Sequence, residues 1–223
     1  MVSLKQKIDF ANHILKKNLK ESKKGVYVAW SGGKESTVML HLLKILYQNK
    51  VPIPVLFGDS SLEHEEVYKF IKSISERWQL TIVRQEIPGL QSLMETKKTI
   101  KDIIPRVKKT FKRSLENIVI EKGINVLFWG SRWQDHNGET RVVSEKKFGT
   151  KLVYPLIHFN EYDIWNYILH FNVPYLKLYE KGYRNINILP LMKSPTESSQ
   201  HIFQKMIDHI RSDQLKQLQP SRV

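Results

Sequence analysis

A doubly wound α/β fold, with helices on both faces of a parallel sheet of about five strands, is predicted for this sequence of 223 residues. Five short apolar runs, rich in β-branched and aromatic residues, have the composition of buried strands. Stretches with apolar residues at helical spacing alternate with the first three runs, which implies parallel pairing through right-handed crossovers. The strand candidates are Val26–Trp30, Val51–Phe57, Leu80–Arg84, Asn125–Trp129 and Lys151–Tyr154.

The length and composition suit one domain, because domains mostly run from about 50 to about 250 residues. Of the residues, 41% are hydrophobic, which is enough for a core. No apolar run approaches the roughly 20 residues of a membrane span, and no signal-peptide core is visible, so the cytoplasm is the expected compartment. Within residues 1–223 we expect an N-terminal helix (1–24), a parallel α/β core (26–156), a C-terminal helical and irregular extension (157–212) and a tail (213–223).

Local signals predict where several helices begin and end. Residues 4–19 have the spacing of an amphipathic helix. Ser60 with Glu63 three residues later resembles a capping box at the start of the helix after the second strand. The segment 94–122 is expected to be helical and to break near Pro105, since proline removes a helical hydrogen bond.

The second half of the chain carries a long polar loop and two further caps. Residues 131–150 are rich in glycine and charge, and a loop of that length around a site is often a functional lid. Asn160 with Asp163 predicts one helix start, and the stretch Ser194-Pro195-Thr196-Glu197 predicts another, with Ser194 as the cap.

The first strand leads through two adjacent glycines directly into a helix. Such a succession leaves free backbone N–H groups at a helix start, where the helix dipole favours anions. Gly32 and Gly33 let the backbone close on an anion without a Cβ in the way, and Lys34 adds a mobile positive charge. The hydroxyl groups of Ser31 and Ser36 can donate further hydrogen bonds. We therefore predict a phosphate-binding loop, with an ordinary strand–helix turn as the alternative.

Two common phosphate motifs do not fit this loop. A Walker loop requires a glycine and a serine or threonine at the positions occupied by Val28 and Glu35. The dinucleotide fingerprint requires spaced glycines, whereas Gly32 and Gly33 are adjacent and no third glycine follows. The loop therefore belongs to another class.

Polar residues follow two other strands at the sheet edge where such folds bind ligands. Asp59 comes after the second strand, with a helix cap or turn residue as its alternative role. Gly130 and Arg132 come after the fourth strand, and an arginine at a strand end suits contact with an oxyanion. His136 is interpreted as a surface histidine rather than a catalytic group.

The formal net charge of +14 predicts attraction to polyanions, namely nucleotides, nucleic acid or an acidic protein partner. Nucleic-acid contact and a solvated face both remain open for the basic segment, because only Phe111 is interleaved for stacking. The chain has no cysteine, which removes thiolate nucleophiles, cysteine-bound zinc and cysteine-held Fe–S clusters. The basic residues of the segment are Lys97, Lys98, Lys101, Arg106, Lys108, Lys109, Lys112 and Arg113.

Four blocks in this order resemble one known family: SGGKES at 31–36, LFGDS at 56–60, GSRWQD at 130–135 and YPLIHFNEYDIWNYILHFNVPYLKLYEKGY at 154–183. They are similar to the PAPS reductase family of PP-loop proteins, which includes PAPS and APS reductases, the small subunit of ATP sulfurylase and FAD synthetases. SGGKES matches the SGGxDS signature, with Glu35 in place of the usual aspartate. The resemblance spans roughly residues 26–190 and implies a Rossmann-like fold of the adenine nucleotide α-hydrolase type.

The resemblance implies roles for individual residues of this chain. The loop would hold the nucleotide phosphates, and the backbone after the first two strands would face the adenine. Arg132 and Arg141 would face the anionic part of the substrate and, with Lys34, carry catalysis. Asp59 and Glu35 would lie near Mg²⁺. The implied nucleotide-binding residues are Ala29, Trp30, Ser31, Gly32, Gly33, Lys34, Glu35, Ser36, Phe57, Gly58, Asp59 and Gly130.

The function implied is cleavage of ATP between its α and β phosphates, with adenylyl transfer to an anionic acceptor such as sulfate or FMN and release of pyrophosphate. Thiol-dependent reduction is not expected, because the family's reductases use a cysteine that this chain lacks. Mg²⁺ is expected with ATP, and no zinc or Fe–S cluster. A nucleic-acid-modifying PP-loop enzyme and a non-catalytic nucleotide-binding module are the alternatives, and a homodimer is a further possible assembly.

Overall fold

The computed structural model describes residues 2–22, 24–94, 99–136, 142–186, 188 and 192–218. Its strands are β1 (Val26–Ala29), β2 (Val55–Asp59), β3 (Ile82–Glu86), β4 (Val126–Phe128), β5 (Ser144–Lys147) and β6 (Thr150–Val153). Its helices are α1 (Leu4–Glu21), α2 (Lys34–Leu46), α3 (Glu65–Arg77), α4 (Leu90–Met94), α5 (Ile100–Glu121), α6 (Glu161–His170) and α7 (Glu197–Leu218).

The described strands form one sheet of six, in the order β3-β2-β1-β4-β6-β5. Pairing is parallel except between β5 and β6. The predicted α/β class is confirmed, with one difference from the expected sheet of about five parallel strands. Residues 144–147, expected to belong to a long loop, form an antiparallel edge strand, because Phe148 and Gly149 turn the chain back at positive φ. β2 also begins at Val55, after the prolines, rather than at Val51.

Alternate side chains of each strand pack into different layers, as the two-residue period of a strand requires. Val28, Val55 and Phe128 belong to the larger core, which α2, α3, α6 and α7 cover. Leu56, Leu127 and Leu152 point to the opposite face, which α5 covers through Ile118 and Val119. A third cluster joins the segment after β3 to the first half of α5.

Three predicted helix boundaries are wrong. α5 continues through Pro105, because Ile103 and Val107, on either side of the proline, are buried in the third cluster and hold this part of the helix against it. Ser60 Oγ does contact Glu63 Oε1 at 2.6 Å, but in a turn before α3, whose cap is His64. α7 begins at Glu197, and the hydroxyl of Thr196, rather than that of Ser194, accepts a hydrogen bond from Ser199 N.

Two predicted helices agree with the structure. α1 covers the predicted amphipathic stretch and is capped by Ser3, and α6 has the predicted capping box of Asn160 and Asp163. α7 continues to residue 218, into the stretch expected to be a tail, and residues 219–223 lie outside the described ranges. None of the helices in the described ranges combines the length and apolar character needed to cross a membrane.

Candidate functional site

The glycine turn after β1 lies at the switch point of the sheet. β1 pairs with β2 on one side and with β4 on the other, so the connections leave it in opposite directions. Ligands of such sheets bind in the crevice that opens at this point, outside the carboxyl ends of the strands. The structure therefore brings the loop Ser31–Ser36 next to Gly130 and Arg132, which follow β4.

Hydrogen bonds within the loop hold its shape. Gly32 has φ of 78°, a backbone conformation that glycine adopts without a steric cost. Gly33 is the N-cap residue of α2, and its carbonyl accepts hydrogen bonds from Thr37 N at 3.0 Å and Ser36 Oγ at 3.1 Å. Ser31 Oγ accepts from Gly33 N at 3.4 Å. The turn closes tightly over the first residues of α2.

Gly130 is required by the close packing of the β4 end against α2. A Cβ at this position would lie 3.0 Å from both the Cα and the N of Ser36. Both are backbone atoms that no side-chain rotation can move. The absence of a side chain at Gly130 thus lets the end of β4 pack directly on the loop Ser31–Ser36.

Lys34, the first residue of α2, is buried, with 1% of its surface exposed. Its Nζ donates to the backbone carbonyl of Arg184 at 2.8 Å and lies 3.2 Å from Glu35 Oε1. The ammonium group also lies 5.0 Å from the centroid of the Tyr179 ring. These partners compensate a charge whose burial would otherwise be costly. The segment 179–184 consequently forms one wall of the site.

Arg132 and Glu35 form the centre of the charged cluster. Arg132 Nη2 lies 3.1 Å from Glu35 Oε1 and 3.0 Å from Asp135 Oδ1, while Arg132 Nε donates to Asp135 Oδ2 at 3.2 Å. Two parallel contacts to one carboxylate fix the plane of a guanidinium. Asp135 therefore orients Arg132 toward the start of α2.

One nitrogen of the Arg132 guanidinium has no partner in the part of the chain that the structure describes. Burial by itself lowers the pKa of Arg132, but the hydrogen bonds to Asp135 and the charges of Glu35 and Asp135 outweigh burial and raise it. Its Nη1 is buried and has no hydrogen-bond partner among the described residues. Leaving a buried charged donor unsatisfied is unfavourable. An anion at this point would supply the missing acceptor.

Tyr179 closes the site from the C-terminal side. Its hydroxyl accepts a hydrogen bond from Lys34 N at 3.0 Å, which is one of the N–H groups at the start of α2. Burial raises the pKa of Tyr179 strongly, with a further contribution from the Glu35 charge, so the hydroxyl stays protonated. Its ring packs edge-to-face against Trp165, at 5.2 Å between centroids. Tyr179 is thereby fixed between α6 and the loop Ser31–Ser36.

The predicted adenine-facing positions offer mainly backbone to a ligand. The indole of Trp30 is buried and donates to Thr37 Oγ1 at 3.0 Å, and the Phe57 ring is buried in the same core. Gly58 is exposed, and Ala29 is half-buried. The Trp30 and Phe57 side chains therefore pack in the core next to the site, and neither is exposed to a ligand.

Asp59 is a buried carboxylate with three partners. Its Oδ1 accepts from Ser61 N and from the Tyr68 hydroxyl, both at 2.8 Å, and its Oδ2 forms an ion pair with Arg84. Burial alone raises the pKa of Asp59, but these hydrogen bonds and the Arg84 charge together outweigh it and hold the pKa below its ordinary value. Asp59 is thus an ionised carboxylate at the carboxyl end of β2.

The predicted metal positions are both carboxylates that already contact cations. Glu35 lies between Lys34 and Arg132, and Asp59 is paired with Arg84. Among the residues that the structure describes, no three histidine, aspartate or glutamate side chains gather at one point. This donor set fits a magnesium ion that arrives bound to substrate phosphates, since Mg²⁺ commonly takes only one or two protein carboxylates.

Some predicted residues cannot be placed, and some contributors were not predicted. Arg141 lies outside the described residues, as do Lys97 and Lys98 of the basic segment, while His136 ends a short 3₁₀ turn that begins at Trp133. The sequence pointed to no role for Tyr179 or Asp135 individually, although each lies in a block that carries the family resemblance. The role of the Arg184 carbonyl could not be predicted from the sequence, because every residue type has a backbone carbonyl.

Comparisons with known proteins bear on this site. Residues 25–191 match the phosphoadenosine phosphosulfate reductase domain family. An adenosine 5′-phosphosulfate reductase of Bacillus cereus is 27% identical over 186 residues, which cover 75% of this chain and 73% of that enzyme. An uncharacterized protein of Methanocaldococcus jannaschii is 29% identical over 77% of this chain and 37% of its own length.

Solved structures share the fold at lower identity. Candida glabrata FMN adenylyltransferase in complex with ATP aligns with a TM-score of 0.65 at 20% identity, over 83% of this chain and 61% of that enzyme. The chain therefore spans about three fifths of the length of that relative. A PAPS reductase from Candida auris aligns with a TM-score of 0.65 at 18% identity, over 82% of this chain and 90% of the other. The match to the family covers most of the chain and includes the whole loop site, so this protein belongs to the phosphoadenosine phosphosulfate reductase family of PP-loop proteins.

Proposed function

We propose that this protein binds ATP at the loop Ser31–Ser36 and transfers its adenylyl group to an anionic acceptor, releasing pyrophosphate. One observation carries the proposal: Lys34, Arg132 and the start of α2 converge at the sheet's switch point, and Arg132 Nη1 has no partner among the described residues. Two buried cations beside a helix N-terminus suit a polyphosphate. A nucleotide ligand also agrees with the structural relative FMN adenylyltransferase, which was solved in complex with ATP.

In this reaction an acceptor oxygen attacks the α-phosphorus, and the bond from that phosphorus to the bridging oxygen breaks. The electron pair leaves with pyrophosphate. The N–H groups of the loop and Lys34 would stabilise the departing charge, and the Arg132 guanidinium would hold the acceptor in line. Lys34 must first exchange the Arg184 carbonyl for a phosphate oxygen. The site would therefore accelerate the reaction by positioning the reactants and by stabilising the charge of the transition state.

Magnesium enters as part of the substrate, MgATP, and neutralises charge on the transferred phosphates. Glu35 and Asp59 are the carboxylates that we propose to face it. Glu35 carries one more methylene than the usual aspartate of the signature, and in the structure its carboxylate reaches both Lys34 and Arg132. We propose that Glu35 thereby holds both cations in place until substrate binds.

Sulfate and FMN are the two acceptors that we propose to test first. The comparisons name a reductase of adenosine 5′-phosphosulfate and an FMN adenylyltransferase, so both an oxidised sulfur anion and a phosphate ester occur among relatives. Reduction by a thiolate of this chain is not proposed, because the sequence contains no cysteine.

The experiment measures pyrophosphate release from MgATP with sulfate or FMN, and sulfite release from adenosine 5′-phosphosulfate with a dithiol. We expect pyrophosphate release with one acceptor and its loss in Lys34→Ala. Lys16→Ala, at an exposed lysine of α1, is the matched control and should retain the rate. Sulfite formation, or no pyrophosphate with either acceptor while ATP still binds, would reject the proposed reaction.

A second candidate, ATP-dependent modification of nucleic acid, is favoured by the surface of α5. Six of its basic residues are exposed, and among the described residues only Lys112 forms an ion pair, with Glu116 at 3.7 Å. Salt-sensitive binding of tRNA or DNA, weakened by neutralising Lys108, Lys109 and Arg113 together, would support it. Absence of binding at low salt would exclude it. The six residues are Lys101, Arg106, Lys108, Lys109, Lys112 and Arg113.

A further inference from the structure

A cavity of about 550 Å³ lies beyond the phosphate loop, toward the C-terminal ends of α2 and α3. α2 begins at the loop, and the two residues of α2 that line the cavity, His41 and Lys44, lie about 10 Å and about 15 Å farther along the axis at about 1.5 Å per residue. The cavity is therefore separate from the site proposed for ATP. It is lined by His41, Lys44, Arg77, Trp78, Asn172 and Pro174.

Two cations from different helices converge on this cavity. Lys44 Nζ donates to Asn49 Oδ1 at 3.2 Å and lies 5.8 Å from the centroid of the Trp78 ring. Within the described part of the chain, neither Lys44 nor Arg77 forms an ion pair with a carboxylate. Their positive charges are thus available to an anion.

His41 is a buried imidazole that lines the same cavity. Its Nδ1 lies 2.9 Å from the Tyr167 hydroxyl, whose proton is retained because burial raises the pKa of Tyr167. Burial, followed by the Lys44 charge, lowers the pKa of His41 from 6.5 to about 4, so its ring is neutral at pH 7. A neutral imidazole that accepts a hydrogen bond at Nδ1 carries its proton on Nε2. In the tautomer in which the Tyr167 hydroxyl donates to Nδ1, the Nε2–H donor lies on the ring edge away from Tyr167.

We propose that this cavity is a second anion site, which binds the phosphate group of a small molecule through His41 Nε2, Lys44 and Arg77. The cavity is broadly open to solvent, and its volume exceeds the need of a bare ion. Lysine or arginine in a last helical turn also complements the helix dipole. That role acts within each helix separately, whereas an anion bridges both cations to the same imidazole.

The test titrates inorganic phosphate, and in a second arm ribose 5-phosphate, into the full chain labelled with ¹⁵N at histidine. We expect the His41 Nε2 resonance to shift with either probe. The double variant Lys44→Gln/Arg77→Gln should weaken that binding at least tenfold. The control Lys16→Gln/Lys72→Gln, which removes the same charge from exposed positions, should bind as the unmodified chain does.

The two arms also distinguish the source of the phosphate group. Tighter binding of ribose 5-phosphate identifies a phosphate monoester as the ligand class, and equal affinity identifies the free ion. No shift at His41, or a shift unchanged in the double variant, would overturn the proposal. The outcome is independent of catalysis, because the readout reports on His41 and not on the loop around Lys34.

Discussion

The phenolic oxygen of Tyr179 lies 3.0 Å from the backbone nitrogen of Lys34 and accepts its hydrogen bond, across a separation of 145 residues in sequence. The contact joins the C-terminal half of the chain to the first N–H group of α2. It occupies one of the donors that a helix start leaves without an intrahelical partner. Tyr179 therefore completes the hydrogen bonding at the start of α2.

Removing the Tyr179 hydroxyl should destabilise the protein measurably. In Tyr179→Phe, Lys34 N–H loses its acceptor in a buried place, and we expect the free energy of unfolding to fall by about 1–3 kcal/mol. Urea unfolding measures the change. Tyr175→Phe is the control, because the Tyr175 hydroxyl bonds to Glu180 at the surface. Equal losses in the two variants would contradict the assigned role.

A methyl group at residue 130 should disturb the loop through backbone overlap. Gly130→Ala places a Cβ 3.0 Å from Ser36 N and Cα, and relieving such overpacking costs about 1–3 kcal/mol. We expect a lower unfolding free energy together with weaker ATP binding by calorimetry. Gly58→Ala is the stability control, since its Cβ would meet only the Ile87 side-chain tip at 3.3 Å. A Gly130→Ala protein as stable as that control would argue against tight packing.

Shape as well as charge should matter at Arg132. Arg132→Lys keeps the positive charge but loses the planar fork that meets Asp135 and Glu35. We expect the rate of pyrophosphate release to fall about 10²-fold, the magnitude typical of removing one donor to developing charge. Steady-state kinetics with MgATP provides the measurement, and Arg106→Lys on the exposed face of α5 provides the control. An unchanged rate in Arg132→Lys would show that charge alone suffices.

Stability should decrease in acid partly because of His41. Its pKa is about 4 in the folded chain and 6.5 by default, so the unfolded chain binds more protons between these values. The free energy of unfolding therefore rises with pH across this interval. The contribution of His41 to stability is lost as pH falls from about 6.5 to about 4. Urea unfolding at several pH values should show a shallower slope in His41→Asn than in the exposed control His13→Asn. Parallel slopes would exclude His41 as the cause.

The ion pair between Lys7 and Asp163 should contribute more than a surface pair. The two charged atoms are 2.5 Å apart, with side chains only 13% and 10% exposed, and the pair joins α1 to α6. Lys7→Met leaves Asp163 buried without its cation, and we expect a loss of about 3–5 kcal/mol in urea unfolding. Lys5→Met should cost less than about 1 kcal/mol, because its pair with Asp9 is exposed. Similar losses of unfolding free energy in Lys7→Met and Lys5→Met would contradict a larger contribution from the buried pair.

Features with a local signal could be predicted from the sequence. The spacing and composition of neighbouring residues predict the strand at Val26, the glycine turn and the helix that follows. The structure places all three as expected. The capping box of Asn160 and Asp163 is also local. The confirmed α/β class follows from the same alternation of strand and helix.

Features that depend on distant packing could not be predicted. Ser144–Lys147 has the composition of a polar loop, and only pairing with the neighbouring strand makes it an edge strand. Pro105 reads as a helix breaker, but apolar contacts on both sides of it, from Ile103 and Val107, hold α5 in place. Arg84 gave no signal as the partner of Asp59, because the two meet only through the sheet.

The contact from Tyr179 to Lys34 also has a consequence for synthesis on the ribosome. A nascent chain that has emerged only as far as β4 contains the glycine turn and Gly130, yet it lacks the wall that holds Lys34. Domains fold as units during elongation, so this loop reaches its final form only after residue 184 has left the exit tunnel. Lys34 is thus made well before Tyr179 and Arg184, the distant residues that hold its backbone and its side chain.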